Sequence, residues 1–281
     1  MIKNGKSICA KWAKNKFMDK INTQCAKIKS EKRMGLMTHV VLGYPDIRNT
    51  RTLANMMSRE GADFIELQIP FSDPLGDGAT IQEANAQALA KGVRPKDAFA
   101  LVKILRETDR LTLPLFLMTY MNIPFTYGLE KFCRDAQKAG ADGLIVPDYN
   151  PDMESADKFD ALARRYGLAL TRFISLQSSN ARMGFVGRDA PGFIYCFSVQ
   201  GITGARKTLD RDLARRLRLA RKNFSAPLAV GFGISGASQV RRLQGAADIV
   251  VVGSTVINAF KMHGLPGARS KVRELLRACK K

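Results

Sequence analysis

Histidine is scarce in this chain, with only His39 and His263, and the five cysteines (Cys9, Cys25, Cys133, Cys196 and Cys279) are scattered without a CxxC pair. So few imidazoles and no paired thiols exclude the usual zinc frameworks, and the spacing argues against a disulfide scaffold. A metal site is therefore not expected, and no cofactor is expected because no recognisable site for one is present. Long apolar runs are also lacking. None approaches the roughly 20 residues that a membrane span needs, and the N-terminus has no continuous apolar segment of the secretory type. A soluble, cytoplasmic protein is the expectation.

Basic residues, by contrast, are in excess, giving a formal net charge of +20. Such a charge invites a nucleic-acid reading, because clustered Lys and Arg are the footprint of phosphate-backbone binding. The distribution weakens it. Residues 1–33 carry ten basic and two acidic side chains, and residues 205–281 carry 17 and four, so the middle of the chain is nearly neutral. In the segment around Leu213, Leu217, Ala220 and Phe224, apolar positions recur at helical spacing while Arg211, Arg215, Arg218 and Lys222 fall on the other side. That pattern describes an amphipathic helix with a solvated basic face. Nucleic acid is not the expected ligand on this reading, since no RNA-binding signature accompanies the charge.

Eight short β-prone runs punctuate the 281 residues: His39–Leu42, Phe64–Ile69, Leu115–Tyr120, Gly143–Val146, Leu170–Ile174, Phe193–Phe197, Leu228–Val230 and Ile249–Val252. Helical periodicity separates them at Thr52–Glu60, Ile81–Lys91 with a further segment to Arg106, Leu129–Ala139, Met153–Tyr166, Asp210–Lys222 and Ser238–Gln244. The connection Gln177–Pro191 has only weak helical character. Strands alternating with helices imply parallel βα units, and eight such units close into an α/β fold of the (β/α)8 TIM barrel type. Residues 36–281 are read as that single barrel domain. Residues 1–35 are read as a basic N-terminal extension whose helix, with the stripe Phe17, Met18, Ile21, Cys25 and Ile28, covers the N-terminal end of the barrel.

In such barrels chemistry belongs at the C-terminal ends of the strands. After the second strand the chain reads Glu66-Leu-Gln-Ile-Pro-Phe-Ser-Asp-Pro-Leu-Gly-Asp77-Gly. Alternation puts Phe64, Glu66 and Gln68 on one face and Ile65, Leu67 and Ile69 on the other. With the apolar set against the helices, Glu66 points into the barrel mouth, where a carboxylate suits proton transfer. Pro70 to Gly78 ends the strand and holds Asp77 in a loop over the mouth. Three glycine-bearing segments follow at later strand ends: Gly201-Ile-Thr-Gly204, Gly231-Phe-Gly233-Ile-Ser235-Gly236 and Val252-Gly253-Ser254. Glycine lets backbone amides approach an anion, and the loops after strands seven and eight commonly bind phosphate in these barrels.

The run Glu66 to Gln82, with the ordered glycine segments, closely resembles the signature of tryptophan synthase alpha subunits, and the similarity extends from about Val40 to Ile257. The resemblance implies a lyase that cleaves indole-3-glycerol phosphate by a retro-aldol reaction. It implies that Glu66 is the acid–base residue and that Asp77 receives the indole N–H. Tyr120 matches a position beside the indole pocket and Tyr195 one lining the active site. Thr203 matches the closing-loop threonine, and Gly204, Gly233, Gly253 and Ser254 match phosphate ligands, with Phe232 among the substrate-binding positions. Pro74 and Asn122 match positions facing a beta subunit. A stand-alone indole-releasing lyase and a non-catalytic activator of the beta subunit remain alternatives.

The chain departs from the family pattern at several places. Gln68 stands where Gly is usual, Gly76 where Ala is usual and Ala79 where Pro is frequent. His39 replaces a commonly aromatic, apolar residue near the indole pocket. Val199-Gln200 replaces Arg followed by Ser or Thr, and Asn150 stands where Pro is common. Gln68 and Gly76 are expected to make the catalytic loop differently crowded and more flexible.

Overall fold

Alternation along the strands sorts their side chains into two cores. In the computed structural model, which describes residues 16–197, 212–231 and 233–280, nine parallel strands form one sheet: β1 (Gly35–Val41), β2 (Phe64–Gln68), β3 (Leu115–Met118), β4 (Gly143–Ile145), β5 (Ala169–Leu170), β6 (Arg172–Ser175), β7 (Ile194–Phe197), β8 (Leu228–Gly231) and β9 (Ile249–Val252). Leu36, Val40, Ile65, Leu67, Leu117, Leu144 and Val250 face outward and pack with helix residues such as Leu53, Met57, Val102 and Phe132. Met37, Phe64, Phe116, Met118, Ile145, Ala229 and Val251 fill the interior. A surface buried on both faces is what a parallel sheet covered by helices requires.

Nine strands rather than eight arise because the run expected at Leu170–Ile174 divides at Thr171. β5 pairs with β4, and β6 pairs with β7. The two pieces are consecutive in the chain but occupy opposite ends of the strand order, β5-β4-β3-β2-β1-β9-β8-β7-β6. The barrel therefore meets itself at Thr171, whose amide donates to the Leu144 carbonyl at 2.9 Å.

Other element limits also differ from the sequence reading. β1 starts at Gly35 rather than His39. The helix expected from Thr52 begins at Ile47, because the Asp46 side chain accepts the Asn49 amide and caps it. The span Met153–Tyr166 is broken by Lys158 at φ 55° into Glu154–Asp157 and Phe159–Arg165. The weak segment after β6 does form a helix, Asn180–Gly187, capped by Ser179. Helix Leu213–Ala220 buries Leu213, Leu217 and Ala220 and exposes Arg215 and Arg218.

At the N-terminal end, helix Lys16–Ser30 lays Ile21 and Ile28 into the interior core beside Phe64, Phe116 and Phe193. Gly35 makes room for it, since a Cβ there would lie 2.5 Å from Ile28 Cδ1. Around this end, aspartates just before three strands accept an amide at the start of a neighbouring strand: Asp63 from Leu36 at 2.9 Å, Asp142 from Leu115 at 2.8 Å, and Asp248 from Leu228 at 2.8 Å. Each is also paired with an arginine, Arg33, Arg106 and Arg221 respectively.

Candidate active site

The opposite end holds a cleft that opens to solvent, with about 680 Å³ of empty space counted out through its mouth. Its walls come from the interior faces of several strands and from the loops that follow them: His39 of β1, Glu66 of β2, Asp77, Met118 and Tyr120, Ile145, Phe173, Tyr195, and Gly233, Gly253 and Ser254. Glu66 and Asp77 are both buried, at 4% and 5% exposure. Two carboxylates held this deep in an apolar setting cost desolvation energy, so their local partners matter.

Glu66 has one close side-chain partner among the described residues. His39 is its register neighbour on β1, and His39 Nδ1 lies 3.3 Å from Glu66 Oε1. Asp77 is held by Gln68, whose Nε2 donates to Oδ2 at 2.6 Å, while the Gln82 amide group donates to the Asp77 carbonyl at 2.9 Å. Burial pushes the Asp77 carboxyl above its ordinary range, and the Gln68 bond and the His39 charge pull the other way. For His39, burial opposes the charged form, yet the Glu66 charge and contact, with Asp77 and Gln68, carry its pKa upward.

Two tyrosines complete the polar lining. Tyr120 stacks on Phe71 with ring centroids 5.3 Å apart, and burial followed by the Asp77 charge keeps its phenol neutral. Tyr195 packs against Phe173 at 5.1 Å and is likewise held neutral, by burial and then by the Glu66 charge. Its position demands glycine on β8, because a Cβ on Gly231 would lie 2.1 Å from the Tyr195 hydroxyl. Among the described residues, His39 Nε2, Glu66 Oε2 and Gln68 Oε1 are buried without a hydrogen-bond partner. Buried polar atoms are usually satisfied, so three such atoms gathered at one mouth mark a place built to receive a polar ligand.

Of the residues expected from sequence, the structure brings Glu66, Asp77, Tyr120, Tyr195, Gly233, Gly253 and Ser254 to this cleft. Gly233 adopts φ +68°, a conformation glycine takes without strain, and Ser254 opens the helix Ser254–Cys279. Thr203, Gly204 and Phe232, and the Val199-Gln200 pair, lie outside the described residues. Pro74 is buried in the loop, and its neighbour Leu75 is 85% exposed instead; Asn122 is exposed at the start of helix Asn122–Tyr127. Ile81, Met118, Ile145, Pro147, Phe173, Ile234 and Val251 also line the cleft and were not singled out. Alternation applied to every strand, as it was to β2, marks Met118, Ile145, Phe173 and Val251 as inward-facing.

The chain matches the family model described as tryptophan synthase alpha chain over residues 25–281. It belongs to the tryptophan synthase alpha chain family. The alpha chain of Desulfotalea psychrophila is 41% identical over 236 residues, 84% of this chain and 91% of that one, and that of Roseiflexus castenholzii is 41% identical over 244 residues, covering 87% and 92%. Among solved structures, a tryptophan synthase chain from Mycobacterium tuberculosis superimposes with a TM-score of 0.84 at 30% identity, covering 93% of this chain and 98% of that one. As a tryptophan synthase alpha chain it is a lyase of tryptophan biosynthesis on a TIM barrel.

Proposed function

We propose that the barrel mouth cleaves indole-3-glycerol phosphate to indole and glyceraldehyde 3-phosphate, with Glu66 moving the protons and Asp77 holding the indole N–H. The observation that carries this reading is the pair of buried carboxylates facing one largely apolar cleft. An aromatic carbon is a poor leaving group. Protonating indole C3 turns the ring into an indoleninium cation, and removing the proton of the adjacent hydroxyl then forms the aldehyde. The electrons of the broken C–C bond return to the ring and restore indole. Glu66 gives the first proton and takes the second, while Asp77 offsets the positive charge that develops at nitrogen.

Met118, Ile145, Phe173 and Val251 supply the apolar walls suited to the indole ring. The phosphate fits the other side of the cleft, where Gly233, Gly253 and Ser254 present backbone amides and a helix N-terminus. Binding that group fixes the reacting carbon against the two carboxylates, so remote binding energy serves alignment. No step in this sequence calls for a redox cofactor.

A tryptophan synthase beta subunit is the proposed partner, docking over the rim. Leu75 on the loop after β2, Phe125 after β3 and Met153 after β4 expose 85%, 68% and 52% of their surface. Three exposed apolar side chains on successive rim loops support docking on this side, and Asn122 is exposed after the same strand as Phe125. No helix among the described residues is long and apolar enough to cross a membrane, which suits the cytoplasmic location we propose.

Indole release by the purified protein, with and without beta subunit, tests the reading. Wild type should release indole, and Glu66→Gln should not. Wild type that only stimulates a beta subunit supplied with external indole would instead establish a non-catalytic activator.

A further inference from the structure

Glu66 and Asp77 are linked through two side chains that the cleavage reaction does not by itself demand. The parallel register sets His39 beside Glu66 and Val41 beside Gln68, so His39, Glu66 and Gln68 share the inward face of two adjacent strands. His39 Nδ1 contacts Glu66 Oε1 at 3.3 Å. Gln68 Nε2 donates to Asp77 at 2.6 Å, while its carbonyl oxygen, on the same inward face as the imidazole, has no hydrogen-bond partner among the described residues and favours the charged ring. All four residues are buried, none more than 5% exposed. The order across the mouth is carboxylate, imidazole, amide, carboxylate.

We propose that His39 is the proton reservoir of Glu66 and that Gln68 is a positioning residue that ties this pair to Asp77; the proposal rests on the lyase reading above. The reaction needs one transferable proton near Glu66 while Asp77 stays anionic. A lone carboxyl group would have to store that proton itself. With the imidazole beside it, the same proton is stored on His39 against an ionised Glu66. In cleavage the proton passes from Nδ1 to the Glu66 carboxylate and from the resulting carboxyl group to indole C3. The proton lost by the substrate hydroxyl returns through Glu66 to Nδ1, so the enzyme ends each turnover with the protons it began with.

The surroundings suit a charged imidazole. Glu66 and Gln68 face it from β2 and Asp77 from the following loop. From the end of β9 it meets the Gly253 backbone, where a Cβ would lie 3.0 Å from His39 Cδ2. Tyr120 and Tyr195 line the same cleft and remain neutral.

Because the chain has only two histidines, an NMR titration of wild type and His39→Phe assigns the His39 signal by subtraction. It should titrate above the ordinary histidine value in wild type and fall in both Glu66→Gln and Gln68→Gly. In cleavage assays, His39→Phe and His39→Gln should both move the alkaline limb of kcat to lower pH. Both should lose roughly tenfold or more in kcat at pH 8, less than a general acid–base group itself costs, with little change in KM. The losses from His39→Phe and Gln68→Gly should be less than additive in the double variant. A His39 signal below the ordinary value, a His39→Gln variant with the wild-type kcat profile, or fully additive losses would overturn the proposal. Wild type that cleaves nothing would sink the lyase reading and the proton-supply role with it, whereas the titration, which needs no turnover, would still decide whether the pair exists.

Discussion

The two ends of this barrel bury carboxylates in opposite ways. At the N-terminal end Asp63 accepts from Gln24 and from the Leu36 amide and is bridged by two nitrogens of Arg33 at 2.7 and 2.8 Å. Asp142 is paired with Arg106 and the Leu115 amide, and Asp248 with Arg221 and the Leu228 amide. At the C-terminal end, among the described residues, Glu66 contacts His39 and Asp77 accepts from Gln68, and Glu66 Oε2 is left without a partner. One fold thus pairs three carboxylates with arginines and strand amides and holds two at a cleft where no arginine or lysine among the described residues pairs with them. That division agrees with the general assignment of stability to the bottom of these barrels and chemistry to the top.

Exchanging the two kinds of carboxylate for neutral groups should give opposite consequences. The largest effect belongs to Glu66→Gln, which keeps shape but loses the transferable proton and should lower kcat by roughly 10²–10⁴, with a smaller fall in the urea midpoint than Asp142→Ala produces. Asp142→Ala strands Arg106, which burial already draws below its ordinary pKa, together with the Leu115 amide. Removing one member of a buried pair costs about 3–5 kcal/mol. Urea unfolding should show that loss, while the kcat of the remaining folded protein stays near wild type. If Asp142→Ala abolished turnover without lowering stability, the division between the ends would fail.

Sequence made the upper end legible because its signals are local. Alternation turned Glu66 inward, the Pro70–Gly78 run announced the loop carrying Asp77, and glycines marked the later strand ends. What sequence did not disclose depends on neighbours far along the chain. The run Ala169–Ser175 reads as one β-prone segment, and only barrel closure decides that it breaks at Thr171 to pair on two sides. His39 was noticeable as a departure from the family, but its contact with Glu66 exists only through the β1–β2 register. The Arg33–Asp63 and Arg106–Asp142 pairs span about 30 residues or more and carry no motif. The Asp46 cap of helix Ile47–Glu60 was readable and overlooked.

A smaller effect tests how tightly the upper end is built. Gly231→Ala would place a Cβ 2.1 Å from the Tyr195 hydroxyl, so the ring must move or the strand must shift. Overpacking of this kind costs about 1–3 kcal/mol. Because Tyr195 lines the cleft, kcat/KM should fall together with the melting temperature. A variant with wild-type kcat/KM would show that Tyr195 can move without consequence for the site.

The smallest expected effect, on stability alone, concerns Asp77, and its sign separates the two ends. Burial raises the folded-state pKa of Asp77, so the native protein favours its protonated form more than the unfolded chain does. Such a group stabilises the fold below its unfolded pKa, near 3.8, and that contribution is lost as pH rises through the folded value. At neutral pH an ionised Asp77 is therefore a net burden on the fold, retained for its chemistry. Asp77→Asn removes the ionisation while an amide oxygen can still accept from Gln68 Nε2, the bond that spans 2.6 Å in the native protein. Asp77→Asn should therefore melt above wild type at pH 7. The advantage should shrink toward zero as pH falls through the window just above 3.8, and cleavage should be lost throughout. Melting curves of both proteins from pH 4 to 8 decide the matter. A variant that melts below wild type at pH 7, or whose offset does not change with pH, would mean that Asp77 is held as a structural carboxylate like those at the other end.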